Sequence, residues 1–147
     1  ESVQVCTYGA NGKTIGFWQN KNGQAIILAN GTGMCSNLSA FGNVLTLPNP
    51  CNGTTLASYY IDVFNVANAS GDGVAMFRAQ FFASALNAYM WPDFAGYTVS
   101  YNSSCITVNQ LLAYANTNFS SLSANNTNLM AVKDIFDRLN NNIQPSC

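Results

Sequence analysis

A chain of 147 residues with 48% apolar side chains can bury one real core and is too short for two ordinary ones. Charged residues make up 7%, against roughly a quarter in average globular domains, and the net charge is −1. Five Lys plus Arg cannot supply the basic patch that displaces counterions from nucleic acid, nor hold an anionic membrane surface. The absence of His removes the commonest general base and metal ligand.

In chain order, residues 2–8 read as a strand, with Val3, Val5 and Thr7 alternating with polar neighbours. A Gly9-Ala10-Asn11-Gly12 turn follows. The next pattern predicts a helix over residues 16–29, with Phe17, Trp18, Ile26, Ile27 and Leu28 on its apolar side and Asn30-Gly31 as its stop. Residues 34–55 are loop-rich, with a short helix within 37–45. A helix over 56–68 carries Leu56, Tyr59, Tyr60, Val63, Phe64 and Ala67 at 3–4 spacing. Asp72 or Gly73 opens the next, which ends before Pro92 and is apolar nearly all round, as a central core helix is. Residues 97–101 read as a second strand, and helices follow over 107–119 and from 126 or 127 to 139.

The expected fold class is mainly α (α+β), with four to five helices around a central apolar helix, two or three short strands, and disulfide staples. It is one extracellular domain over residues 1–147. Residues 1–9 form a β-like segment that can exchange between subunits, although a hairpin with residues 97–101 is the nearer alternative. Apolar runs such as 25–29 and 81–86 fall far short of the ~20 residues of a membrane span. The opening ESVQV has neither a basic n-region nor an apolar h-region, so a secreted chain is expected here in processed form.

Five cysteines stand far apart, at Cys6, Cys35, Cys51, Cys105 and Cys147, without CxxC pairs. Zinc needs closer ligand pairs, so no metal site is expected, and the spacing favours disulfides of an oxidising compartment. The odd count leaves one cysteine unpaired or bonded to another subunit, and Cys147 or Cys6, near the termini, is the best candidate. Seven N-x-[ST] triplets mark Asn30, Asn37, Asn52, Asn68, Asn102, Asn118 and Asn125 as N-glycosylation acceptors, among 21 Asn in all. Covalent N-linked glycans are therefore expected, and no other cofactor.

Three stretches resemble one known module. TIGFWQNKNGQAII (residues 14–27) is similar to the GFWQNKNGQ-type module of secreted and cell-surface proteins of bacteria and archaea. AQFFASALNAY (79–89) is similar to its central helix, and LMAVKDIFDRLNNNI (129–143) to its closing helix. The resemblance spans residues 14–143 and implies secretion and a shared fold; it transfers no catalytic residue. A related GYWKNHP pattern carries a His that this chain lacks. The overall profile also resembles glycosylated archaeal surface-filament subunits. From its residues alone, the tryptophan motif is expected to anchor the core, with Gln19, Asn20, Asn22 and Gln24 bonding nearby backbone; a ligand-binding amide cluster is the alternative.

No paired-carboxylate, P-loop or nucleophile-elbow pattern occurs, and the chain is expected not to be an enzyme. Asp62, on an apolar helix face, is expected to pair with Arg78 or Lys21. An isopeptide bond from Lys13 or Lys21 to an Asn is a minor alternative chemistry. The expected function is a structural, self-assembling, N-glycosylated subunit of an extracellular filament or surface appendage, whose partners are copies of itself. The alternative is a secreted adhesin or glycan-binding module, with Trp91, Tyr97 and Tyr101 stacking on cell-surface or environmental glycans.

Overall fold

The computed structural model describes residues 9–147, so the strand expected over 2–8 and Cys6 lie outside the described residues. The fold is mainly α with a two-stranded antiparallel sheet and two disulfides, as the patterning predicts.

The helix expected over 16–29 is two helices. Thr14 caps α1 (Ile15–Gln19), its hydroxyl oxygen accepting the Phe17 N–H at 3.1 Å. Asn20 then takes an extended conformation, and its side-chain oxygen accepts the Asn22 and Gly23 amides, opening α2 (Lys21–Leu38). A residue that caps the second helix cannot also continue the first. Nor does Asn30-Gly31 stop α2. Gly31 is there for contact: a Cβ on it would lie 2.1 Å from the Gly53 Cα, where α2 crosses the next helix. The short helix expected within 37–45 is the end of α2 and a single 3-10 turn, Ser39–Phe41.

An Asn52/Thr55 capping box starts α3 (Gly53–Ser70), and left-handed Gly71, with φ +64°, ends it. The central helix is α4 (Gly73–Met90), buried continuously from Ala79 to Asn87. Its broadest contact is with the closing helix α8 (Asn126–Asn140), and α3 covers another side. Phe77 and Phe81 of α4 meet Phe136 of α8 edge-on, at centroid distances of 6.1 and 5.6 Å.

Three short pieces escape the sequence patterning. Pro92–Ala95 forms α5, and Phe119–Ser123 forms α7 after the well-capped α6 (Val108–Thr117). The strand expected at 97–101 exists as β1 (Thr98–Tyr101), whose partner among the described residues is β2 (Ser104–Thr107); the pairing expected with the N-terminal segment lies outside the described residues. Asn102 and Ser103, at φ +49° and +64°, make the two-residue turn whose twist suits a hairpin.

The disulfides join Cys35 to Cys51 and Cys105 to Cys147. Cys147 is thus bonded within its own chain, which removes it from the two candidates for the odd cysteine; the other, Cys6, lies outside the described residues. The tail folds back over the hairpin, and burial of Gln144 brings residue 147 to residue 105.

Candidate functional site

The three motif-bearing segments meet at one buried set of side chains. Trp18 of α1, Gln80, Ser84 and Asn87 of α4, and Asn140 of α8 are each nearly or fully buried. Spacing of 80, 84 and 87 puts the α4 members on one helix face. Asn87 Oδ1 accepts from the Trp18 indole N–H at 3.2 Å and the Lys13 amide at 3.0 Å. Asn87 Nδ2 donates to the Lys13 carbonyl at 2.9 Å and to Asn140 Oδ1 at 3.0 Å. Ser84 donates to the same Asn140 oxygen at 2.9 Å, and Asn140 Nδ2 donates to the Gln80 backbone and side-chain oxygens at 3.1 and 2.9 Å. Both Asn amides thereby use all four hydrogen-bonding positions. Among the described residues, no buried side-chain polar atom lacks a partner.

Such a network is a lock. The Asn87 and Asn140 amides are spent on the network itself, and a satisfied polar network in low dielectric fixes helix orientation. Asn142 extends it by treating Gly12 as a strand partner, accepting from its N–H at 2.6 Å and donating to its carbonyl at 3.0 Å. Of the four motif amides expected to bond backbone, two do. Asn20 caps α2, and Gln24 Nε2 donates to the Trp18 and Ala57 carbonyls at 2.9 and 3.2 Å. Gln19 and Asn22 side chains are exposed. Gly23 lets α2 press on α1, since a Cβ there would sit 2.2 Å from the Phe17 carbonyl oxygen.

The seven acceptor asparagines do not all sit in turns. Asn30 is half-buried mid-helix, its Nδ2 donating to the Ile26 carbonyl at 2.9 Å. Asn118 is half-buried too and bonds back to Tyr114. Asn52 and Asn125 are exposed helix caps that use their oxygens inward. Asn37 and Asn68 are exposed near helix C-termini, and Asn102 is exposed at the hairpin tip.

The aromatic platform expected at Trp91, Tyr97 and Tyr101 is largely spent on packing. Trp91 lies against Trp18 at 5.8 Å between centroids. The Tyr97 hydroxyl accepts from the Gly9 amide and donates to the Gln144 carbonyl. Tyr101 pairs with Tyr114 at 5.3 Å; partial burial and the neighbouring Tyr114 hydroxyl push its own phenol up to about 12.

A surface groove of about 380 Å³ lies between α3 (Tyr59, Asp62, Val63, Val66), α4 (Ala75, Arg78) and Thr46. Arg78 is held from behind: its Nε donates to the Val44 carbonyl at 2.7 Å and its guanidinium lies over the Phe119 ring at 5.7 Å. The expected Asp62 ion pair does not form; the ion pair among the described residues is Lys133–Asp134. Lys13 and Lys21 are exposed, and Lys13 Nζ rests over the Phe17 ring, so the structure holds no buried Lys–Asn pair for an isopeptide bond. Among the described residues no cluster of carboxylates and cysteines could hold a metal, and no helix is long and apolar enough to cross a membrane.

No family model, curated protein or solved structure matches the chain.

Proposed function

We propose that this chain is a structural subunit that self-assembles into an extracellular filament or surface appendage and carries N-linked glycans. The observation that carries this reading is the make-up of its outside. Leu28, Val66 and Ile143 are 54%, 56% and 62% exposed. They lie on a surface served by five basic and six acidic residues in the whole chain. Apolar side chains with few charges around them associate without desolvating ions, which suits contact between copies. The frame behind that surface is rigid, with two disulfides and a closed amide network, as a load-bearing repeat requires. Disulfides belong to an oxidising compartment, consistent with an extracellular place.

The adhesin reading has less to draw on, because Trp91 and Tyr97 serve packing. Electron microscopy of native extracellular material tests the proposal. Repeating polymers containing this chain are expected; a monodisperse monomer that binds a glycan array would replace it with the adhesin.

A further inference from the structure

We propose that a cavity where α1, α3 and α4 meet seats the 2-acetamido group of a sugar joined to Asn68. The acetamido carbonyl accepts from Gln80 Nε2, and its methyl packs on Ala67, Met76 and Ala79. This rests on the glycosylation reading above and names the one acceptor site whose sugar becomes part of the fold.

The amide lock has a direction, and that direction leaves one donor over. The Trp18 indole and the Lys13 backbone can only donate their N–H groups, and both meet the same atom of the Asn87 amide, which must be its oxygen. Asn87 Nδ2 is thereby turned toward Asn140, so Asn140 presents its oxygen there and its Nδ2 to Gln80. The Gln80 backbone carbonyl can only accept, which confirms that orientation, and the Gln80 side chain must offer Oε1 to the same nitrogen. Gln80 Nε2 is what remains. It has no partner among the described residues, although Gln80 is only 5% exposed. Every fully enclosed side-chain polar atom among them does have one, so Nε2 reaches space that another molecule can fill.

That space is a cavity of about 180 Å³ that Gln80 lines, with apolar walls that include Phe64, Ala67, Met76 and Ala79. None of its lining residues is charged. An ionised acceptor would lose its hydration there without gaining a counter-charge, whereas a neutral carbonyl with a small apolar body loses little. An N–H donor beside alanine and methionine side chains therefore selects a carbonyl carrying a methyl group.

Asn68 supplies the source, because it lines the same cavity. It is exposed in the last turn of α3 and heads the Asn68-Ala69-Ser70 acceptor triplet. Asn30 and Asn118 donate their Nδ2 to backbone carbonyls; Asn68 Nδ2 makes no such bond among the described residues. A sugar bonded through its C1 to that nitrogen carries its C2 substituent next to the linkage. An acetamido group at C2 turns inward along the helix pair toward Gln80, in the middle of α4. A sugar held this way points the rest of its chain in one direction on every copy.

The test uses the native, isotope-labelled glycoprotein, with its sugars identified by glycopeptide mass spectrometry. The acetyl methyl on the Asn68 sugar should show nuclear Overhauser contacts to Met76 and Ala79. The Gln80 side-chain amide protons should exchange about tenfold more slowly than in Ser70→Ala, the scale of one net hydrogen bond. Ser70→Ala removes the triplet at an exposed helix end, where the serine oxygen accepts only the Asp72 amide. Gln80→Glu keeps an oxygen toward Asn140 and puts a second oxygen where the N–H was, so the methyl contacts should disappear while the thermal transition persists. If Gln80→Glu fails to fold, the exchange comparison with Ser70→Ala decides. A sugar on Asn68 without these contacts, a linking sugar without an acetamido group, or an empty Asn68 on a chain glycosylated elsewhere overturns the docking and leaves glycosylation standing. A chain with no glycan at any of the seven sites overturns both.

Discussion

Asn87 and Asn140 stand 53 residues apart on α4 and α8, and a 3.0 Å hydrogen bond from one amide to the other joins them inside the core. Each is fully buried, and each spends its remaining positions on a different segment. Replacing Asn140 with Ala strands the Ser84 hydroxyl, one Asn87 N–H and the Gln80 side-chain oxygen. Stranded buried polar groups cost about 1–3 kcal/mol apiece at most, so Asn140→Ala should destabilise by about 3 kcal/mol in urea denaturation. A double-mutant cycle with Asn87→Ala should return a coupling of about 1 kcal/mol or more. A coupling near zero would show that the two amides are independent.

Gly31 and Gly16 both sit in helices but should respond oppositely to Ala. A Cβ at Gly31 meets the Gly53 backbone at 2.1 Å, while one at Gly16 meets only the Thr14 hydroxyl at 3.8 Å. Gly31→Ala has to push α2 and α3 apart, at a cost of about 2–3 kcal/mol. Gly16→Ala should be neutral or stabilise by about 0.5 kcal/mol through helix propensity. Paired thermal melts of the two variants check this.

The alkaline limit of stability should be set by tyrosines. Burial raises the Tyr60 phenol well above its usual value of 10.0, and Tyr59 and Tyr101 are raised too. A raised acid holds its proton in the folded state after the unfolded chain has lost it. Its stabilising effect is thus complete below pH 10 and is lost as pH rises through the folded value. The urea midpoint should fall steeply from about pH 10 upward. Tyr60→Phe should flatten that fall while lowering stability at neutral pH by about 1 kcal/mol, because the hydroxyl donates to the Ile15 carbonyl at 2.7 Å. An unchanged alkaline slope would remove Tyr60 from the account.

Glycan occupancy should be graded by fold position. Asn102, exposed at a hairpin tip, and Asn37 and Asn68, exposed at helix ends, should be the fullest sites. Asn30 should be the emptiest, being half-buried mid-helix with its amide donated to Ile26. Glycopeptide mass spectrometry of native protein reads this directly. Full occupancy at Asn30 with none at Asn102 would reverse the ranking, and no glycan anywhere would remove glycosylation itself.

The two disulfides should differ in worth. They close segments with sequence separations of 16 and 42 residues. Chain-entropy estimates give about 3 kcal/mol for Cys35–Cys51 and about 4 kcal/mol for Cys105–Cys147. Serine pairs at each position, compared by urea denaturation, should follow that order.

The long helices were legible because burial imposes a 3.6-residue rhythm: Leu56 through Ala67 and Leu129 through Leu139 declare their faces. Asn20 and Gly31 were not. Each is ambiguous in one dimension, since Asn starts helices as readily as it ends loops, and Gly serves close contact as well as chain reversal. Their roles depend on Gly23 and Gly53, which only folding brings near. The amide lock was half visible. Gln80, Ser84 and Asn87 interrupt an apolar helix at helical spacing, a signal of one polar seam, but nothing local to α4 names Asn140 as the residue that fills it. Asparagines also act as spare peptide groups, Asn87 and Asn140 inside the core and Asn116 and Asn142 nearer its surface.

The bond between Cys105 and Cys147 has a mechanical consequence. Tension applied to the chain at Cys147 does not reach Asn140 by peeling the residues between them off the domain. It is carried across the sulfurs to the hairpin at Cys105, which lies next to the start of α6. A pull on the tail is thus shared between α6 and α8 and converted from unzipping, where bonds break one at a time, into shear, where they must yield together.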